Sequence, residues 1–286
     1  MKKVLIQLDS DPHPSVFDAV VATDAGVDSL LSYGGVEKDQ VRDLVYGAMF
    51  TRGPQDLNNT ALFIGGGNVA DGEALLEEVQ KTFFGPMRVS VMLDSNGCNT
   101  TAVAAVLRAG KHIELGGTRA LVLGATGPVG QRVSRLLAAE GTEVRVGSRS
   151  RDRAAAACDR IHSQISQAKL EPVAAGAPEE VAEALDGVEL VISAGAAGAL
   201  LLPEAQRKGC GSIKVAIDLN AVPPTGIEGV EVTAKAVDHE GVICYGAIGV
   251  GGTKMKIHKA AVESLFESND QVLDAEAIYT LGQSLD

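Results

Sequence analysis

The stretch whose reading decides the fold is Leu121–Arg153, LVLGATGPVGQRVSRLLAAEGTEVRVGSRSRDR. An apolar run from Ala120 to Leu123 reads as a strand and stops at Gly124. Gly124, Gly127 and Gly130 follow at a fixed stagger, and Val129, Val133, Leu136 and Leu137 fall on one helical face. Val144 to Val146 reads as a second strand. Strand, glycine turn, helix and strand in that order turn a weak glycine pattern into a dinucleotide-binding fingerprint. In such a turn the first glycine makes the bend, the second admits a pyrophosphate to the backbone, and the third lets helix and strand pack closely. The helix start offers unpaired N–H groups to the phosphates. Pro128 fits a first helical position, where its missing N–H costs nothing. Thr126, Pro128 and Val129 complete the candidate cofactor turn. A purely structural βα turn would use the same small residues, but the flanking strand and helix favour the cofactor.

The end of the second strand bears on which dinucleotide. NAD enzymes place an Asp or Glu about 20 residues past the first glycine, to accept from the ribose hydroxyls. Here that place holds Gly147, Ser148, Arg149, Ser150 and Arg151, with no acid before Asp152. Arginine pairs with phosphate in a planar fork, so Ser148, Arg149, Ser150 and Arg153 suit the 2′-phosphate of NADP. NAD is the weaker expectation, and a solvated basic turn is the bland one.

The chain has 286 residues, 45% of them hydrophobic and 22% charged, enough for two domains with cores of their own. A net charge of -12 disfavours nucleic acid and anionic membranes as partners. The four cysteines, Cys98, Cys158, Cys210 and Cys244, form no CxxC pair and no zinc-spaced cluster with histidine, so no metal is expected. Reduced thiols in a cytoplasmic protein are the simplest reading. The opening MKKVLIQLDSD is too short an apolar run for a signal peptide, and no run reaches membrane-spanning length.

Along the chain, Val4–Leu8, Ala61–Ile64 and Arg88–Leu93 read as strands. Helices are expected over Ser15–Ala22 (Val16, Val20 and Val21 inward), Lys38–Tyr46, Asp71–Phe83 and Asn99–Arg108. Gly65–Gly67 reads as a βα turn rather than a phosphate loop. Beyond the fingerprint, Asp152–Ile165 and Pro178–Leu185 read as helices, and Leu190–Ser193 and Ile213–Asp218 as strands. Leu170–Val173 is an edge strand because Pro172 cannot donate to a ladder. Tyr245–Gly252 reads as a small-residue crossover, and the rest as mostly helical, packing back on the first domain. Alternating strands and helices predict an α/β protein: a Rossmann-type doubly wound parallel sheet plus a second α/β domain. Residues 1–110 with 253–286 form the expected substrate domain, and 111–252 the dinucleotide domain. Ligands sit at the carboxyl ends of such strands, so Ala194, Gly195 and Asn220 are candidates to line the nicotinamide side.

Several longer segments carry a resemblance. They are SDPHPSVFD (10–18), TRG (51–53), FFGPMRVSVMLDSNGCNTTA (83–102), GATGPVG (124–130), DLNAVPPTGIEG (218–229), GAIGVGGTKMKIHKA (246–260), LFES (265–268) and DAEAIY (274–279). On these, and nearly end to end, the chain resembles the NAD(P)-dependent methylene-tetrahydromethanopterin dehydrogenases. The resemblance implies two domains with an active-site cleft between them. It implies oxidation of a methylene bridge on a reduced pterin carrier, with hydride passed to NADP or NAD. It also implies a homo-oligomer, with a trimer as the expected form.

A CH2 between two nitrogens loses hydride to give a cation stabilised by both lone pairs, which calls for no general base and no metal. It calls for the carbon to be held at near-attack distance, about 3–3.5 Å from the acceptor. Asp94, Asn96, Asn99, Thr100 and Thr101 stand where a strand gives way to a helix and offer polar groups to the amide-like edge of a pterin. Helix capping is the bland reading of the same residues. Phe17 and Asp18 offer a ring face and a polar contact, with Phe17 as a core residue nearly as good a reading. The resemblance implies an important lysine at Lys254, whose expected role is orienting the pterin. Lys256 would share its face only on an extended segment. The histidines are scattered and carry no assigned role. The same oxidation on tetrahydrofolate stays open. A shikimate-dehydrogenase-like reductase, using Lys254 with Asp18 or Asp94 as an acid–base pair, and a non-catalytic NADP-sensing module are further alternatives.

Overall fold

A computed structural model describes residues 1–285. In chain order the elements are β1 (Val4–Leu8), α1 (Val16–Asp24), β2 (Ser29–Tyr33), α2 (Val41–Phe50), β3 (Thr60–Ile64), α3 (Val69–Thr82), β4 (Ser90–Leu93) and α4 (Cys98–Gly110). There follow β5 (Arg119–Leu123), α5 (Pro128–Ala139), β6 (Glu143–Ser148), α6 (Arg151–His162), β7 (Lys169–Ala174), α7 (Pro178–Ala184), β8 (Leu190–Ser193) and α8 (Glu204–Gly209). The chain closes with β9 (Val215–Asp218), β10 (Lys235–His239), β11 (Val242–Tyr245), α9 (Ala247–Ser264), β12 (Val272–Leu273) and α10 (Ala275–Gln283). Two compact units result, Met1–Thr100 with the chain from Met255 onward, and Thr101–Lys254. Among the described residues no helix is long and apolar enough to cross a membrane.

The first unit is built on a parallel sheet in the order β12-β4-β3-β1-β2. Its core joins Leu8, Leu62, Ile64 and Val91 from the strands to Val45 and Met49 of α2 and Leu75 and Val79 of α3. Helix α1 departs from its sequence reading. Val21 is buried, but Val16 and Val20 are 76% and 55% exposed. The inward stripe is Asp18, Val21, Ala22 and Ala25, at i, i+3, i+4 and i+7. Apolar identity alone pointed two valines the wrong way. Strand β2, absent from the sequence reading, is the sheet edge, and its last three residues are exposed.

The second unit carries a seven-stranded sheet, β10-β11-β9-β8-β5-β6-β7. Six strands run parallel and β10 pairs antiparallel with β11. Helix α5 buries Val133, Leu136 and Leu137. Each such leucine contributes roughly 1.5–3 kcal/mol by leaving water. Pro172 lies in β7, at the edge. The segment read as a crossover is instead the end of β11 and the first turn of α9. Two of its glycines have a packing cause. A Cβ on Gly246 or Gly249 would strike the backbone of Val232 or Ala234. That approach lets Ala234 and Val232 carbonyls accept from Gly246 N and Ile248 N, satisfying first-turn donors of α9. The β10–β11 hairpin turns at Glu240–Gly241, both at positive φ (58° and 87°), the geometry of a tight two-residue turn. Lys254 and Lys256 therefore stand on a helix and diverge.

None of the four cysteines, all among the described residues, forms a disulfide. Burial pushes the Cys158 thiol up to about 11, with Asp159 adding to the shift, which leaves it almost wholly protonated and unreactive near neutrality.

Candidate active site

Strand order in the second unit reverses between β5 and β8: β6 and β7 lie on one side, β9 and β11 on the other. The crevice at such a point, outside the carboxyl ends, is where ligands bind. The glycine turn leaves β5 there. Gly124 sits at φ +71°, and a Cβ on it would lie 2.6 Å from Gly195 Cα and 2.9 Å from the Ala194 carbonyl carbon. Gly130 packs the start of α5 on the strand end, since a Cβ would lie 2.6 Å from Gly124 O and 2.7 Å from Ala125 Cα. Gly127 differs: a Cβ there would only touch Gly124 O at 3.4 Å and Ala194 O at 3.8 Å, ordinary contacts that force no clash. The first glycine bends and the third packs, while the second stands uncrowded at the N-cap of α5. Pro128 is at N1 of α5, and no side chain caps that helix. Its first N–H groups are thus available to an anion. Gln131 Nε2 donates to Thr126 O (2.8 Å) and fixes the turn, and Val129 is partly exposed beside it.

At the end of β6, Ser148 is buried and its hydroxyl accepts from Ser150 N (3.4 Å). Ser150 caps α6, accepting from Arg153 N (3.4 Å). Arg149, Arg151 and Arg153 are exposed, and among the described residues no carboxylate pairs with them. The β6 end therefore presents three exposed arginines, with Asp152 of the first turn of α6 between two of them. Ala194 and Gly195 line the turn from β8. Asn220 is buried in the loop after β9, where Val222 N donates to its Oδ1 (3.0 Å) and its Nδ2 donates to Pro224 O (3.2 Å).

The first unit has its own reversal, between β1 and β3. The loops at these strand ends interlock. Gly65 N donates to Leu8 O (2.9 Å), Asp94 N to Ile64 O (3.0 Å) and Asn96 N to Gly66 O (2.7 Å). Gly67 N donates to Asp11 Oδ2 (2.8 Å), and Gly66 sits at φ +98° close to Ser10. The triple glycine is thus accounted for by protein contacts. Asp94, Asn99 and Thr100 are buried together. The Asp94 carboxylate accepts from Asn99 N (2.9 Å), Thr100 N (3.0 Å) and the Thr100 hydroxyl (2.6 Å). Asn99 Nδ2 donates to Leu93 O (2.5 Å). These three therefore shape the β4–α4 junction. Asn96, exposed and held at φ 53°, and Thr101, partly exposed, are the members of the segment that reach solvent.

Phe17 is half exposed and Asp18 partly buried on α1. A residue without an assigned role in the sequence joins them. His258 of α9 is buried, stacks on Phe63 (5.6 Å, 17°), lies 6.2 Å from the Phe17 ring and brings Nε2 to 3.9 Å from Asp18 Oδ1. Asp18 Oδ2 would lie 3.6 Å from a Cβ on Gly65, so this carboxylate stands at the end of β3. Lys254 is partly exposed one helical turn before His258, and the i, i+4 spacing puts both on one face of α9. That spacing was the available sequence signal for His258.

A doubly wound sheet with a glycine turn and an uncapped helix start at its switch point defines a dinucleotide-binding protein of the Rossmann type. A family model described as methylene-tetrahydromethanopterin dehydrogenase, N-terminal, matches residues 16–96, and one described as NAD(P)H-binding matches residues 124–278. The bifunctional protein MdtA of Methylorubrum extorquens is 45% identical over 99% of this chain and 99% of its own. The NAD(P)-dependent methylenetetrahydromethanopterin dehydrogenase of the same organism is 30% identical over 98% of this chain and 97% of its own. The chain belongs to the NAD(P)-dependent methylene-tetrahydromethanopterin dehydrogenase family. Among solved structures, quinate dehydrogenase from Corynebacterium glutamicum in complex with NAD has a TM-score of 0.54 at 14% identity, covering 99% of both chains. The 5-ketofructose reductase of Gluconobacter sp. strain CHM43 has a TM-score of 0.52 at 15% identity, covering 100% of this chain and 99% of the other. These likenesses show the fold.

Proposed function

We infer that the chain is an NADP-dependent dehydrogenase that removes hydride from the methylene group of methylene-tetrahydromethanopterin, leaving the methenyl form. The observation that carries this reading is the uncapped start of α5 at the switch point, with the exposed Arg149, Arg151 and Arg153 at the β6 end beside it, in a chain of this family. NADP, when bound, supplies the hydride acceptor.

This chain's residues bind, orient and exclude water. Gly124, Gly127 and Gly130 with the first N–H groups of α5 hold the pyrophosphate. Arg149, Arg153, Ser148 and Ser150 receive the 2′-phosphate. Ala194, Gly195 and Asn220 border the reactive end. Asp18, Asn96, Thr101 and Lys254 are the groups assigned to the pterin, with Phe17 offering a ring face. Asp94, Asn99 and Thr100 keep the β4–α4 junction in shape. The departing hydride leaves a cation spread over two nitrogens, so placement suffices and no residue need take a proton. The shikimate-dehydrogenase-like reading would need such a proton acceptor.

Arg149→Ala should weaken NADP about 10- to 100-fold, the size of a lost charge-assisted hydrogen bond, and leave NAD unchanged. Titration calorimetry with both dinucleotides checks this, and equal losses for the two would place the 2′-phosphate elsewhere. The acidic, span-free chain is proposed to work in the cytoplasm, as a homo-oligomer that sedimentation would size. The reaction itself is tested by supplying NADP with methylene-tetrahydromethanopterin and methylene-tetrahydrofolate in turn and following NADPH absorbance. Turnover with the methanopterin carrier is expected. Turnover with the folate carrier alone would replace the substrate, and none with either would end the reading.

A further inference from the structure

We propose that Asp218 is a positioning residue that sets the nicotinamide-side wall of the cofactor site, acting on that half of the dinucleotide alone. The proposal rests on the NADP-binding reading above. Asp218 is the last residue of β9, almost fully buried, and touches none of the glycine turn itself. Its carboxylate is the hub of a closed polar knot. Oδ1 accepts from Asn220 N (3.1 Å) and Oδ2 from Ile227 N (3.0 Å), with Gly226 and Ser193 packed against it. Gly226 has no alternative, since a Cβ there would strike Ser193 Oγ and lie 2.7 Å from Asp218 Oδ1. Burial pushes the Asp218 carboxyl above the usual carboxylate range, against these hydrogen bonds, which marks a group kept inside at a cost.

The knot reaches the cofactor turn through one relay. Gly226 O accepts from both Leu201 N and Leu202 N (2.9 Å each), tying down the far end of the loop that leaves β8. Ala194 N donates to Leu123 O (2.9 Å) at its near end, where Ala194 and Gly195 lie against Gly124. The loop from Ala194 to Leu201 is thus pinned at one end by the fingerprint and at the other by Asp218. Asn220 hangs on the same knot. The β6 end proposed for the 2′-phosphate lies on the opposite side of β5 and, among the described residues, shares no hydrogen bond with the knot.

The chemistry of Asp218→Asn makes the test sharp. A carboxylate accepts at both oxygens, whereas an amide must aim its NH2 at one of two backbone N–H groups and loses that bond. Two ligands separate the halves of the site: NADP, and adenosine 2′,5′-bisphosphate, which carries the phosphorylated ribose and lacks the nicotinamide. In Asp218→Asn the dissociation constant for NADP should rise about tenfold or more, while that for the bisphosphate stays within about twofold. Ser193→Ala, which removes the buried hydroxyl packed against Gly226 and leaves the backbone bonds to Asp218, should give the same pattern more weakly. It serves if Asp218→Asn fails to fold by thermal melting. Unchanged NADP affinity in both variants, or equal losses for both ligands, would overturn the assignment. Failure of the wild-type chain to bind the bisphosphate would instead remove the cofactor reading itself, and this inference with it.

Discussion

Lys254→Ala is expected to cut turnover with the pterin substrate about 10²- to 10³-fold while the dissociation constant for NADP stays within about twofold. The magnitude is that of removing one preorganised donor from a reacting centre, about 3–4 kcal/mol of the barrier. The split between the two measurements follows from placement. Lys254 is on α9, one turn before His258, whereas the glycine turn and the arginines belong to β5, α5 and β6. The reaction releases no proton at the carbon, so the role proposed for the ammonium is to orient the carrier, not to act as an acid. Lys254→Arg should not restore the rate, because a planar fork cannot replace a compact point charge. Steady-state kinetics with calorimetry decides it, and wild-type kinetics in Lys254→Ala would take the residue out of the site.

Gly124→Ala is expected to lose NADP binding by more than about 100-fold, with lowered stability. Two costs add. An L-residue at φ +71° pays about 1–2 kcal/mol for the left-handed conformation. The new Cβ would also meet backbone atoms of Ala194 and Gly195, none of which can rotate away as a side chain would. The β8 loop must then move off the turn, widening the switch point. Calorimetry with thermal melting separates a folded, non-binding protein from an unfolded one. An undisturbed NADP affinity would mean that the β5–β8 crevice is not the cofactor site.

The fingerprint was legible because its chemistry is local. A glycine's backbone freedom and a helix start are set within a few residues, so the spacing told the bend at Gly124 and the close packing at Gly130. Pro172 at an edge and Val21 inside were legible for the same reason. The valines at 16 and 20 were not, because which helical face is buried depends on what packs against it. The β10–β11 hairpin hid in a stretch rich in charge, and only Glu240–Gly241 marked the turn. The segment 94–101 was read as one binding surface. The structure divides it, with Asp94, Asn99 and Thr100 spent on a junction and Asn96 and Thr101 left accessible. His258 was marked only by its i, i+4 spacing from Lys254, and no spacing marked Asp218. The partners of His258, Phe63 and Asp18, are brought in by sheet topology from distant parts of the chain, and those of Asp218, Asn220 and Ile227, by the loop after β9.

The account depends on hydride passing directly from the methylene carbon to the nicotinamide. Methylene-tetrahydromethanopterin with both methylene hydrogens replaced by deuterium tests this most directly, with the NADPH formed weighed by mass spectrometry. The account predicts one deuterium in every NADPH and a single configuration at the nicotinamide carbon. Deuterium released to solvent, or NADPH formed without label, would contradict it.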